Sequence, residues 1–197
     1  MYPEYVEVEG KRYKINTDFR VAIECNRIAE DDSIGNLERA MAIIYTLFGD
    51  EGINTPDHYE KLLELAQKYL LCGNEFDSNS NEKPDMDFIE DYGYIWASMM
   101  SDYNGLDIDK ENIHWWKFNE LLNGLSNSEM GNCCVLNRIR NLRTFDVSQI
   151  KDHKEKEKII KAKKQVQLKK NKRKASKENL ESAMKFYQQL GVLERSD

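Results

Sequence analysis

Residues Pro84–Phe118 read PDMDFIEDYGYIWASMMSDYNGLDIDKENIHWWKF. This stretch holds all three tryptophans of the chain, with Phe88, Tyr92, Tyr94, Tyr103 and Phe118, in a sequence otherwise charged and polar. Phe88, Ile89, Tyr92, Ile95, Trp96, Met99 and Met100 recur three or four apart, which predicts one face of a helix from about Asp85 to Tyr103. Asp85, Asp87, Glu90 and Asp91 fall in its first turns, where the helix dipole favours negative charge. Asp87, Glu90 and Asp91 read as a solvated face opposite Phe88 and Tyr92. Asn104-Gly105 stops the helix, and Asp109 caps the next, which carries Ile113, Trp116, Leu121 and Leu122. The spacing assigns Phe88, Tyr92, Trp96 and Met100 chiefly to the core. Met99, Trp115, Trp116 and Phe118 are the candidates for an apolar partner surface, since methionine and aromatic residues are enriched at interfaces. Trp115 and Trp116 point about 100° apart on a helix, so one of them is expected off the core face.

Toward the N-terminus, Val6 and Val8 alternate with polar residues, Glu9-Gly10 forms a turn, and Tyr13 and Ile15 follow. That pattern predicts a β-hairpin over 4–15. Thr17 caps a helix from Asp18 with Phe19, Ala22, Ile23, Cys25 and Ile28 inward. Ser33 or Asn36 opens the next, with Leu37, Ala40, Met41, Ile44, Leu47 and Phe48 at the helical period and Gly49 at its end. Thr55-Pro56 starts a third, with Tyr59, Leu62, Leu63, Ala66, Tyr69 and Leu70 as its stripe and Gly73 as its close. Residues 74–84 form a polar surface loop.

Toward the C-terminus, Ser128 opens a helix through Val135, Leu136, Ile139 and Leu142, with Arg138, Arg140 and Arg143 outside its apolar positions. Residues 151–174, KDHKEKEKIIKAKKQVQLKKNKRK, predict a long, partly solvated helix anchored only by Ile159, Ile160, Val166 and Leu168. Ser176 caps a final helix with Leu180, Ala183, Met184, Tyr187 and Leu190. The expectation is a mainly α protein: a helical bundle with a short N-terminal β-hairpin and an extended basic C-terminal helical arm.

Charge divides the chain. Residues 1–150 carry 14 Lys/Arg and 28 Asp/Glu, a net of −14, and residues 151–197 carry 15 and 7, a net of +8. This predicts an acidic helical domain over 1–150 and a basic arm over 151–197. Lys163, Lys164, Lys169 and Lys170 are the arm's candidate partner-binding residues. The arm lacks interleaved aromatics, and the acidic body would repel a phosphate backbone, so a solvated helix, or an arm meeting an acidic protein surface, is favoured over nucleic acid. No run approaches 18 apolar residues, and the acidic start MYPEYVEVEGK lacks an apolar segment, so neither a membrane span nor a signal peptide is expected. The four cysteines form no CxxC pair and read as reduced thiols.

Chemistry is sparse. The acidic cluster lacks the glycine and twelfth-position glutamate of a calcium loop. His114 has no nucleophile or second titrating group in a recognisable context. No Walker loop, GxSxG, GxGxxG or HExxH is present. Neither enzymatic activity, a cofactor nor a metal is expected.

Five blocks, in order, carry a resemblance: INTDFRVAIECNRI (Ile15–Ile28), ERAMAIIYTLFGDE (Glu38–Glu51), PDMDFIEDYGYIWASMMSDYNGLDI (Pro84–Ile108), HWWKFNELLNGL (His114–Leu125) and LNRIRNLR with IKDHKEKEKIIKAKK (Leu136–Lys164). Together they resemble a family of siphophage proteins of Gram-positive hosts, encoded just upstream of the tail tape measure protein. HWWKF and DMDF are the most specific blocks. The resemblance implies a tail assembly chaperone in the host cytoplasm. Its partners would be the tape measure protein and other tail proteins, with self-association allowed. The alternatives are a nucleic-acid-binding accessory protein using the basic arm and a minor structural virion protein.

Overall fold

The structure is a computed structural model of the chain and describes residues 1–74, 84–127 and 133–168. It is mainly α: among the described residues, one two-stranded antiparallel hairpin precedes seven α-helices. The chain divides into two compact units, one built on residues 1–74 with 112–119, the other on 84–111 with 120–127 and 133–168. The division follows other positions than the charge boundary at residue 150.

In the first unit, strands β1 (Tyr5–Val8) and β2 (Lys11–Lys14) pair with Val8 opposite Lys11. Glu9 and Gly10 both lie at positive φ, 50° and 80°, which is the two-residue hairpin turn whose twist matches the strands. Val8, Tyr13 and Ile15 face inward and are buried. Helix α1 (Phe19–Ala29) begins one residue later than predicted. Asp18, not Thr17, is the cap: its carboxylate accepts from the Arg20 amide and pairs with the Arg20 guanidinium, both at 2.8 Å. Helix α2 (Asn36–Ile53) consists of two helical stretches, the first ending at Gly49 as predicted. Gly49 is a left-handed kink at φ 64°, and the helix resumes through Gly52, where an added Cβ would meet Ile44 and Phe48 at 2.9 Å. Thr55-Pro56 opens a single 3-10 turn, Pro56–His58, before α3 (Tyr59–Leu70). All six residues of the predicted α3 stripe are buried.

In the second unit, the predicted helix from Asp85 is corrected: α4 spans only Tyr92–Asp102. The preceding residues are held in turns by their own carboxylates. Asp87 Oδ1 accepts from the Ile89 and Glu90 amides, and Asp91 Oδ2 accepts from the Asp87 amide. Asp87 and Asp91 are therefore buried, not solvated. The inward stripe of α4 is Ile95, Ser98 and Met99, while Tyr92, Trp96 and Met100 are only half-buried. Ile95 and Met99 of the predicted face are thus core, whereas Phe88, Tyr92, Trp96 and Met100, the four assigned most deeply, are not fully buried.

Helix α5 (Trp115–Asn123) starts later than predicted, and Asp109 accepts from the Tyr92 hydroxyl instead of capping it. Helix α6 (Val135–Thr144) is capped by the Cys134 sulfur, which accepts from the Asn137 amide. The predicted opener Ser128 lies outside the described residues. Helix α7 (His153–Val166), capped by Asp152, ends at Val166; the part of the predicted helix beyond Leu168 lies outside the described residues. The predicted loop over 74–84 lies, apart from its ends, outside the described residues, as does the helix predicted from Ser176.

Candidate partner interface

The HWWKF block knits the first unit together. Residues 113–115 run beside 17–19, with the Phe19 amide donating to Ile113 O and the Trp115 amide to Thr17 O. This places both indoles at the C-terminal end of α3, where backbone carbonyls lack helical partners. Trp115 Nε1 donates to Leu70 O at 3.0 Å, and Trp116 Nε1 donates to Tyr69 O at 2.9 Å. Trp115 is 2% exposed, whereas Trp116 is half-buried and lies over Gly73, so the adjacent pair splits as expected, but Trp115, not the predicted inward Trp116, is the core residue. Phe118 is fully buried, stacked on Phe19 at a centroid distance of 4.2 Å. Burial pushes the Tyr69 phenol and the Cys25 thiol above their ordinary values.

The end of α3 is a Schellman motif. Gly73 N donates to Lys68 O and Cys72 N to Tyr69 O. The left-handed C′ position, usually glycine, is occupied by Cys72 at φ 54°.

His114 is a fastener. Its Nδ1 accepts from the Trp116 amide, which leaves the proton on Nε2, and Nε2 donates to Pro3 O; both contacts are 3.0 Å. Its ring stacks on Tyr2 at 4.9 Å. Both nitrogens are thus committed within the fold.

The second unit is closed by charge. Arg143 makes a bidentate pair with Asp91 at 2.6 and 2.7 Å, donates to Asp85 O at 2.8 Å, and donates from Nε to Val166 O at 2.6 Å. The two side chains are 10% and 1% exposed. Hydrogen bonding to Asp91 raises the Arg143 pKa further. Arg140 adds a pair with Asp85 at 3.0 Å. Nearby, Asp107 accepts from Trp96 Nε1 and pairs with Lys110, and these contacts, led by Lys110, depress its carboxyl to about 2. Sequence reasoning missed the Asp91–Arg143 pair. The available signal was an acidic DMDFIED segment and an arginine-rich helix in one chain, two charges that each need a partner once buried.

Of the candidate interface residues, Met99 and Phe118 are wholly buried, Trp115 nearly so, and Trp116 half-buried. Lys163 is half-buried and donates to the Phe145 carbonyl, while Lys164 is exposed. Lys169 and Lys170 lie outside the described residues. Lys154, Lys158 and Lys161 line one exposed face of α7 over about 10 Å.

Among the described residues are two open grooves with mixed polar and apolar linings. One of about 950 Å³ in the first unit is bordered by Lys14, Asp18, Tyr45, Glu51 and Asn112. One of about 720 Å³ in the second is bordered by Ser101, Asp102, Cys133 and Arg138. Burial raises the Cys133 thiol there, which disfavours the thiolate. Among the described residues no cluster of His, Cys, Asp or Glu is arranged to hold a metal ion, and no helix is long and apolar enough to cross a membrane.

No curated protein and no solved structure matches the chain. The family described as Bacteriophage Gp15 protein matches residues 2–168, from the hairpin to just beyond the end of α7, and the chain belongs to that bacteriophage family.

Proposed function

We propose that this phage protein is a non-enzymatic tail assembly chaperone that holds the tape measure protein, in the host cytoplasm, until tail tube subunits polymerise around it. The observation that carries this reading is the ordered set of blocks from Ile15 to Lys164, which resemble proteins encoded just upstream of the tape measure gene. A helical body with polar, charged surfaces suits such a role, because helix-in-groove contacts bind helical partners and net charge keeps the complex soluble. Co-expression with the phage's tape measure protein tests it. The expected result is recovery of soluble tape measure protein in a pull-down. Unchanged solubility and no recovery overturn it.

The exposed lysine face of α7 favours one second reading, electrostatic binding of nucleic acid. A gel shift at low and high salt decides, since that attraction is largest at low salt; no retardation there removes it. Mass spectrometry of purified particles separates a chaperone, absent from the virion, from a minor structural component.

A further inference from the structure

We propose that α7 is a releasable strap, and that the end of α6 it covers is a docking surface for a cationic amphipathic helix more apolar than α7. Three observations carry this. First, α7 is 14 residues long and buries none of its side chains, whereas the 12 residues of α3 bury six. Its apolar hold is the half-buried Ile159, Ile160 and Val166. A helix of this length is marginal by itself, so its detachment is among the least costly motions of the fold.

Second, its polar anchors are contacts to backbone. Lys163 donates to Phe145 O, and Arg143 Nε donates to Val166 O, the last residue of α7. The guanidinium thus meets the negative end of a helix dipole. Another helix ending at that place presents the same carbonyl, so this contact does not depend on α7's sequence. Arg143 also stays in position when α7 leaves, because Asp91 and Asp85 O hold its other two nitrogens.

Third, the charge of the occupant is set by complementarity. The second unit's residues 84–111, 120–127 and 133–150 carry ten Asp/Glu against four Lys/Arg, while His153–Val166 carries six lysines against two glutamates. A competing helix keeps the basic flanks and gains affinity from larger apolar side chains at the positions of Ile159, Ile160 and Val166. This rests on the chaperone reading only for the natural partner's identity.

The test uses the full chain and a fluorescent synthetic peptide of residues 151–168 with phenylalanine at those three positions. A loosened-strap variant, Ile159→Ser with Ile160→Ser, is expected to bind the peptide at least about tenfold tighter than wild type, because the site is no longer occupied by α7. Hydrogen exchange on the wild-type chain supplies a readout without mutation. The α7 amides are expected to be less protected than those of α4, and the peptide is expected to lower α7 protection further while leaving α4 unchanged. Equal peptide binding by both proteins, or α7 exchanging together with α4, overturns the proposal. Capture of the tape measure protein without peptide docking overturns the strap and leaves the chaperone reading standing. Peptide docking without that capture supports the strap and removes the chaperone reading.

Discussion

The two compact units bury their central contacts by different chemistry. In the first, Phe19, Phe118, Trp115 and Tyr69 supply rings, and the only polar atoms of that cluster, indole N–H groups and a phenol, point at backbone carbonyls. In the second, beside an apolar core that includes Ile95, Met99, Ile108 and Leu136, the half-buried Arg143 and the buried Asp91 form an ion pair satisfied by each other and by backbone. Ring packing gains free energy from every Å² removed from water. A buried ion pair gains little net free energy but is costly to break, because the surviving charge is left without compensation. The first arrangement stabilises its unit, and the second chiefly selects one geometry among alternatives.

The largest effects are expected where each arrangement is broken. Phe118→Ala removes a fully buried ring and should cost about 3–5 kcal/mol in thermal or denaturant unfolding. Arg143→Ala strands Asp91 and should cost about 3–5 kcal/mol. The double replacement Arg143→Met with Asp91→Leu sharpens the comparison. It should recover most of that loss, since removing both ions removes the uncompensated charge. A double variant no more stable than Arg143→Ala would show that the pair is a true stabiliser and that the contrast between the units fails.

A smaller effect is expected for Trp116→Phe. It withdraws both the donor from Tyr69 O and the outer indole ring atoms over Gly73, at a cost of about 1–2 kcal/mol in chemical denaturation. Cys72→Gly should act in the opposite direction. It relieves a left-handed side chain and should stabilise by about 1 kcal/mol, read as a raised Tm.

The smallest effect is on pH. The Asp107 carboxyl is depressed to about 2 in the folded chain, below its unfolded value of about 3.9. Its contribution to stability is therefore present above about pH 4 and is lost as pH falls toward 2. The Trp96 indole proton, bonded to Asp107, should shift in NMR spectra with a midpoint near 2; a midpoint near 4 would detach that contact from the fold.

Periodicity along the chain was enough to find α3. Tyr59, Leu62, Leu63, Ala66, Tyr69 and Leu70 are all buried, because one amphipathic stripe has one face to hide. The hairpin turn at Glu9-Gly10 and the stop at Asn104-Gly105 were also legible, since positive φ is local chemistry. The stretch from Asp85 to Asp91 was not. Its residues have helical spacing, but their carboxylates prefer nearby amides, and Asp91 answers to an arginine 52 residues away.

The sequence by itself determined the helical class, the inward stripe of α3, the hairpin turn and the family blocks, all of which depend on residues within a turn or two of one another. Only the tertiary structure decided that Trp115 and Trp116 cap α3, that Asp87 and Asp91 of the acidic cluster are buried, and that α7 meets Arg143 at its end. Each of these turns on a hydrogen bond or ion pair between residues far apart in the chain, and a buried polar group takes whichever partner the fold brings to it.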